Sequence, residues 1–146
     1  MSAGIDLAAF ASAMLAAGLL AAVPLVLAAL GEAVAERSGL LNLGIEGMML
    51  AGAFFGFLAV WSTGSVVAGM AAGIAAGVLL GLLFGILAVG LQVDQVLVGL
   101  AITIFAAGLT AFLYRDVFGG QNPSADVQPL VVAVPLLRDI PVIGPA

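Results

Sequence analysis

The chain has 146 residues, of which 64% are hydrophobic and only 8% are charged, whereas soluble domains carry roughly 25% charged residues. This composition predicts a membrane protein, and with only 3 Lys or Arg residues it excludes the basic patch that binding to nucleic acid requires. Because Cys and His are both absent, the common metal sites and catalytic triads lack their residues, so we expect no catalysis and no cofactor.

The first apolar segment covers about residues 7–30. A transmembrane helix needs about 20 apolar residues, so this segment is long enough to span a bilayer. Pro24 is expected to kink it, since proline removes a backbone donor. The alternative is a secretory signal peptide that ends near residues 33–35. That alternative requires a basic start, and residues 1–6 contain no Lys or Arg.

Three more apolar segments follow, at about residues 43–61, 66–91 and 96–114. Transmembrane barrel strands would be about ten residues each with alternating polarity, which this sequence does not show. We therefore predict an all-α, polytopic membrane domain over residues 1–114, with about four transmembrane helices and one polar-interrupted segment. If all four span, the polar loops at residues 32–41 and 92–95 lie at the same end of the bundle.

Residues 115–146 differ from the rest because they contain five of the six prolines, namely Pro123, Pro129, Pro135, Pro141 and Pro145. Such frequent prolines forbid a long regular helix. We predict a Pro-rich loop or a re-entrant segment.

Glycine recurs at every fourth position of the third segment, at Gly69, Gly73, Gly77, Gly81 and Gly85. Small residues on one helical face let a second helix approach closely, and this packing replaces the hydrophobic effect that lipid cannot supply. We interpret the stripe as a helix-packing groove. A sliding surface for a moving helix remains an alternative.

Two polar residues, Asn42 and Glu46, lie at the start of the second apolar segment, four positions apart and therefore on one face of any helix that contains both. A carboxylate near hydrocarbon is costly unless water, a partner or a protein-lined cavity receives it. Both residues are candidates for lining a substrate pathway, and holding neighbouring helices together is the alternative. The other polar residues have local explanations: Asp94 suits an N-cap, and Thr103 and Thr110 suit hydrogen bonds within their own helix.

Three runs resemble the ABC importer permeases of the branched-chain amino acid and simple-sugar type, in particular the nucleoside or simple-sugar subgroup. They are PLVLAALGEAVAERSGLLNLGIEGMMLAGAFFG, QVDQVLVGLAITIFAAGLTAFLYRDVFG and DIPVIGPA. The resemblance covers nearly the whole chain from about residue 20. It implies the N-terminal portion of a permease subunit that moves nucleosides or simple sugars across the cytoplasmic membrane, as a multi-pass protein of that membrane.

The resemblance also implies partners. These are membrane lipid, a second homologous permease subunit, cytoplasmic ATPase subunits and an extracytoplasmic substrate-binding lipoprotein. Members of the family are longer, and the loop that couples them to the ATPase lies in the missing half, so the chain is expected to be truncated relative to them. Two alternatives remain, a non-transporting membrane fragment or packing module and an ATP-independent secondary transporter. The latter normally places an ionisable residue within a span, and segments one, three and four have none.

Overall fold

A computed structural model describes residues 7–121 and residue 123 of the chain. These residues form four helices: α1 (Leu7–Arg37), α2 (Ile45–Thr63), α3 (Val66–Gly85) and α4 (Gln95–Phe118). A π-helical turn, Ile86–Gly90, continues α3. Each of the four is long and apolar enough to cross a membrane, and the described residues contain no strand. The all-α, four-span prediction is confirmed.

The chain divides into two compact units, one made of residues 1–30 and 131–146 and the other of residues 31–130. In the first unit the structure describes α1 up to Leu30, which contains Pro24 and exposes most of its large apolar side chains. The predicted Pro-rich loop lies outside the described residues, apart from its first few positions. Everything below concerns the second unit.

Helix α1 continues to Arg37, past the predicted end of the apolar segment at residue 30. Residues 31–37, with the sequence GEAVAER, are mostly good helix formers, so the helix persists after the apolar run stops. Helix α4 likewise continues to Phe118, past the predicted end at residue 114. The apolar run predicts the length of the membrane span, whereas the helix itself ends at its capping residues.

Helices α2 and α3 form an antiparallel pair in which glycines face each other. A Cβ added to Gly73 would lie 3.0 Å from the carbonyl oxygen of Gly52, and one added to Gly69 would lie 2.9 Å from that of Gly56. Because both obstacles are backbone atoms, only glycine allows the helices to come this close. The pair is joined by a short turn at Gly64, whose φ of 68° is left-handed.

Helix α4 packs against α2 and α3, and Phe84, Val98 and Ile102 form a cluster of buried apolar side chains. At the C-terminal ends of α2 and α4, the rings of Trp61 and Phe118 lie 5.2 Å apart. At the opposite end, the backbone N–H of Leu41 donates to the side chain of Gln95. The two polar loops therefore lie at the same end of the bundle, as the sequence predicted.

Asp94 is the N-cap of α4, which confirms the prediction. Its Oδ1 accepts hydrogen bonds from the backbone N–H groups of Val96 at 2.9 Å and Leu97 at 3.2 Å. Two donors that the first helical turn cannot satisfy are thereby paired.

We expect Asp94→Ala to destabilise the protein by about 1 kcal/mol, because both capping bonds are lost. The measurement is the thermal unfolding midpoint of the purified protein in mild detergent. The matched control is Asp116→Ala, which removes the same charge from the last turn of α4, where an acidic residue opposes the helix dipole. Equal midpoints for the two variants would contradict the capping role.

Candidate functional site

Residues 38–44 interrupt the helical chain between α1 and α2. The interruption starts with a turn, in which Ser38 and Gly39 donate to the carbonyl groups of Ala35 and Glu36 and Gly39 has a φ of 78°. After the turn, helical hydrogen bonds no longer satisfy the backbone. Side chains from other elements must then provide partners, because an unpaired backbone group away from water is costly.

Three side chains supply these partners. Oε1 of Glu32, near the end of α1, accepts from the N–H of Asn42 at 2.8 Å. Oε1 of Gln95, the first residue of α4, accepts from the N–H of Leu41 at 2.7 Å. The hydroxyl of Thr103 lies 3.2 Å from the carbonyl oxygen of Leu43 and 3.1 Å from that of Gly99, so it donates to one or the other. The end of α1 and the first part of α4 thus bind the same segment.

The segment also lies directly against the backbone of α4. A Cβ added to Gly99 would come within 2.8 Å of the Gly44 nitrogen, and one added to Gly47 within 2.6 Å of the Thr103 Cα. Gly99 and Thr103 lie about 6 and 12 Å along α4 from its first residue. Since α4 is long and apolar enough to span a membrane, the segment packs along the first part of a candidate span and does not loop away from it.

Asn42 is partly buried within this segment. Its Oδ1 accepts from the N–H of Gly44 at 2.9 Å, and its Nδ2 lies 3.6 Å from the sulfur of Met48. A thioether is a weak acceptor, so the amide group retains donor capacity. Because Asn42 precedes the first residue of α2, helical spacing does not place it on one face with Glu46.

Glu46 lies in the first turn of α2, where a negative charge is favoured by the helix dipole. Its side chain is exposed, and no residue of the described part of the chain binds it. Glu46 is therefore available to water, to substrate or to another subunit.

Glu32 differs from Glu46 because one of its oxygens is buried. Oε1 binds Asn42, while Oε2 is buried without a hydrogen-bond partner among the described residues. The sequence analysis placed Glu32 and Gln95 only in polar loops, at residues 32–41 and 92–95, so both contacts were missed. The one feature of the sequence that indicates a close contact between the segment and α4 is the presence of glycine at positions 44, 47 and 99.

The glycine stripe of α3 is in contact over only part of its length. Gly69 and Gly73 meet α2, whereas a Cβ on Gly77, Gly81 or Gly85 would have no described atom within 4 Å. An apolar groove of about 450 Å³ lies between α2 and α3. Its walls are Phe55, Leu58, Ala59, Ser62, Ala72, Ala75, Ala76 and Leu79. One hydroxyl in this set gives little basis for recognising a polar substrate.

Residues 14–135 match the family described as "Branched-chain amino acid transport system / permease component". The chain belongs to this family of ABC importer permeases. With four candidate spans among its described residues, the chain is a multi-pass protein of the cytoplasmic membrane. The resemblance seen in the sequence is confirmed.

Three curated relatives are named as sugar or nucleoside permeases. The permease is 40% identical over 103 residues to a putative glucose ABC transporter permease of Haloferax volcanii, covering 70% of this chain and 31% of the relative. It is 35% identical over 152 residues to a guanosine ABC transporter permease of Bacillus subtilis, covering 95% and 46%. It is 31% identical over 127 residues to a nucleoside ABC transporter permease of Lactococcus lactis, covering 83% and 40%.

The chain thus spans less than half the length of each of these relatives. No solved structure matches it significantly.

Proposed function

We propose that this chain is the N-terminal portion of a permease subunit of an ABC importer that moves nucleosides or simple sugars across the cytoplasmic membrane. The observation that carries the proposal is the match to a guanosine permease over 95% of the chain. The names of the nucleoside and putative glucose permeases support the same substrate classes.

The non-helical segment at residues 38–44 fits this function. Interrupted helices often line substrate sites in transporters, and here side chains of the protein satisfy the irregular backbone. In the proposed subunit, the free amide donor of Asn42 and the exposed carboxylate of Glu46 line the pathway. Both groups suit the hydroxyl groups that nucleosides and sugars share.

The proposed subunit has no catalytic role and holds no cofactor. ATP hydrolysis takes place on cytoplasmic ATPase subunits, and a substrate-binding lipoprotein delivers the substrate from outside. A second homologous permease completes the pathway, and Gly77, Gly81 and Gly85 provide a smooth surface for packing against a helix outside the described residues. Rocking of helix bundles then alternates access to the two sides.

Deletion of the gene in the native host tests this function. We expect loss of ATP-dependent uptake of radiolabelled guanosine or glucose, with recovery when the gene is returned on a plasmid. Unchanged uptake of both compounds would contradict the substrate assignment. Uptake that survives ATP depletion but stops when the proton gradient collapses would indicate a secondary transporter.

Purification of the tagged chain in mild detergent tests the partners separately. ATPase and second-permease subunits are expected to co-purify with it. Recovery of the chain alone would favour the non-transporting fragment.

A further inference from the structure

We propose that Glu32 and Gln95 are positioning residues, which hold the backbone of Leu41 and Asn42 and thereby fix the Asn42 amide in the substrate pathway. This inference rests on the proposed function, in which Asn42 lines that pathway. Neither side chain needs to touch the substrate.

The first step of the argument concerns the two backbone donors. The N–H groups of Leu41 and Asn42 lie outside any helix, and each has one short bond to a side-chain oxygen, at 2.7 Å from Gln95 and 2.8 Å from Glu32. The bond from Leu41 is exposed and the bond from Asn42 is partly buried, and an unpaired backbone group is costly where water does not reach it. Removal of either acceptor therefore releases the segment from its observed position.

The second step concerns the origin of the two acceptors. Glu32 belongs to α1 and Gln95 to α4, so adjacent residues of the segment are bound by two different helices. The Asn42 side chain is in turn fixed relative to this backbone by its bond to Gly44. The direction of the amide group therefore depends on where the backbone is held.

The third step concerns the contacts of the Glu32 carboxyl group and the substitutions that separate them. Its Oε2 has no partner among the described residues, so the hydrogen bond from Asn42 is the one that its carboxyl group makes within this part of the chain. Glutamine at this position retains an acceptor oxygen of the same reach, while methionine has similar length and no comparable acceptor. The same reasoning applies to Gln95, for which glutamate is the conservative change.

The test compares Glu32→Met and Gln95→Met with the conservative variants Glu32→Gln and Gln95→Glu, in the whole transporter of the native host. Glu36→Met is the matched control, because Glu36 lies one turn from Glu32 and its exposed side chain has no partner in the described chain. A nitroxide label on Leu41→Cys reports the mobility of the segment. The chain has no native cysteine, and background labelling of other subunits is measured without the Leu41 change.

We expect both methionine variants to sharpen the nitroxide spectrum and to raise KM for uptake about tenfold, which matches the loss of one hydrogen bond. The maximal rate per assembled transporter should change less than about twofold, since Asn42 itself remains. The conservative variants and Glu36→Met should match wild type in both readouts. The double methionine variant should raise KM by less than the product of the two single effects, because both changes release the same segment, residues 38–44.

An immobile label in the methionine variants would overturn the proposal, whatever happens to uptake. A mobile label with an unchanged KM would overturn the link between the segment and the pathway. Failure of the proposed function has a different signature, namely uptake that does not depend on the chain at all. In that case the nitroxide spectra still decide whether the two side chains hold the segment.

Discussion

Replacing Glu46 by alanine is expected to lower substrate uptake strongly while the amount of assembled transporter stays the same. The carboxylate is exposed, has no partner in the described chain and lies in the first turn of a spanning helix. Its removal breaks no internal bond, and the lost helix-dipole interaction amounts to about 0.3–1 kcal/mol. A hydrogen bond from substrate to a charged group contributes about 1.5–3 kcal/mol, so uptake should fall by up to about 100-fold.

The measurement is initial uptake rate divided by the amount of complex recovered from the membrane. Glu36→Ala is the control, since it removes the same charge from an exposed helical position without a partner. If Glu46→Ala transports as fast as Glu36→Ala, Glu46 does not line the pathway. A loss of complex together with uptake would assign Glu46 to assembly.

Replacing Gly99 by alanine is expected to prevent correct folding of the membrane domain. The added Cβ would lie 2.8 Å from the Gly44 nitrogen and 3.0 Å from the Leu43 carbonyl carbon. Both are backbone atoms, so no rotamer change relieves the overlap, and segment and helix must separate. Overpacking of this kind costs about 1–3 kcal/mol, and the separation also weakens the hydrogen bonds of the segment.

Gly108→Ala is the matched control, because Gly108 lies in the same helix and its added Cβ meets nothing within 4 Å. Alanine favours a helix over glycine by about 1 kcal/mol, so this variant should be as stable as wild type or more stable. The readouts are the monodisperse fraction on size-exclusion chromatography and the thermal midpoint. Equal behaviour of the two variants would show that the segment does not pack tightly on α4.

The parts of the fold that follow from local chemistry were predictable. Four apolar runs of sufficient length gave four spans, and the carboxylate of Asp94 at a helix start gave the cap. Thr110 bonds to the carbonyl of Ala106 in its own helix, as predicted. The Thr103 hydroxyl lies within hydrogen-bond distance of the Gly99 carbonyl in its own helix and also of the Leu43 carbonyl, 60 positions away, and it donates to one or the other.

The candidate site was only partly predictable. The sequence drew attention to Asn42 and Glu46, whose roles in a pathway remain proposals. Nothing in the sequence indicated that Gln95 and Glu32 accept hydrogen bonds from the backbone N–H groups of Leu41 and Asn42. A glutamate in a polar loop and a glutamate that accepts a hydrogen bond from the backbone of a neighbouring segment look the same in sequence, and Gln95 is 54 positions from Leu41.

The sequence by itself determined the all-helical membrane class, the four candidate spans of the described residues and the permease family, because span length, apolar composition and motif order are properties of the chain. The tertiary structure decided that residues 38–44 lie along α4 and that two helices supply their hydrogen-bond acceptors. The physical reason is that the contacting residues are far apart along the chain. Glycines at positions 44, 47 and 99 allow the backbones of the segment and of α4 to pack together, and this packing determines which polar side chains accept hydrogen bonds from the segment.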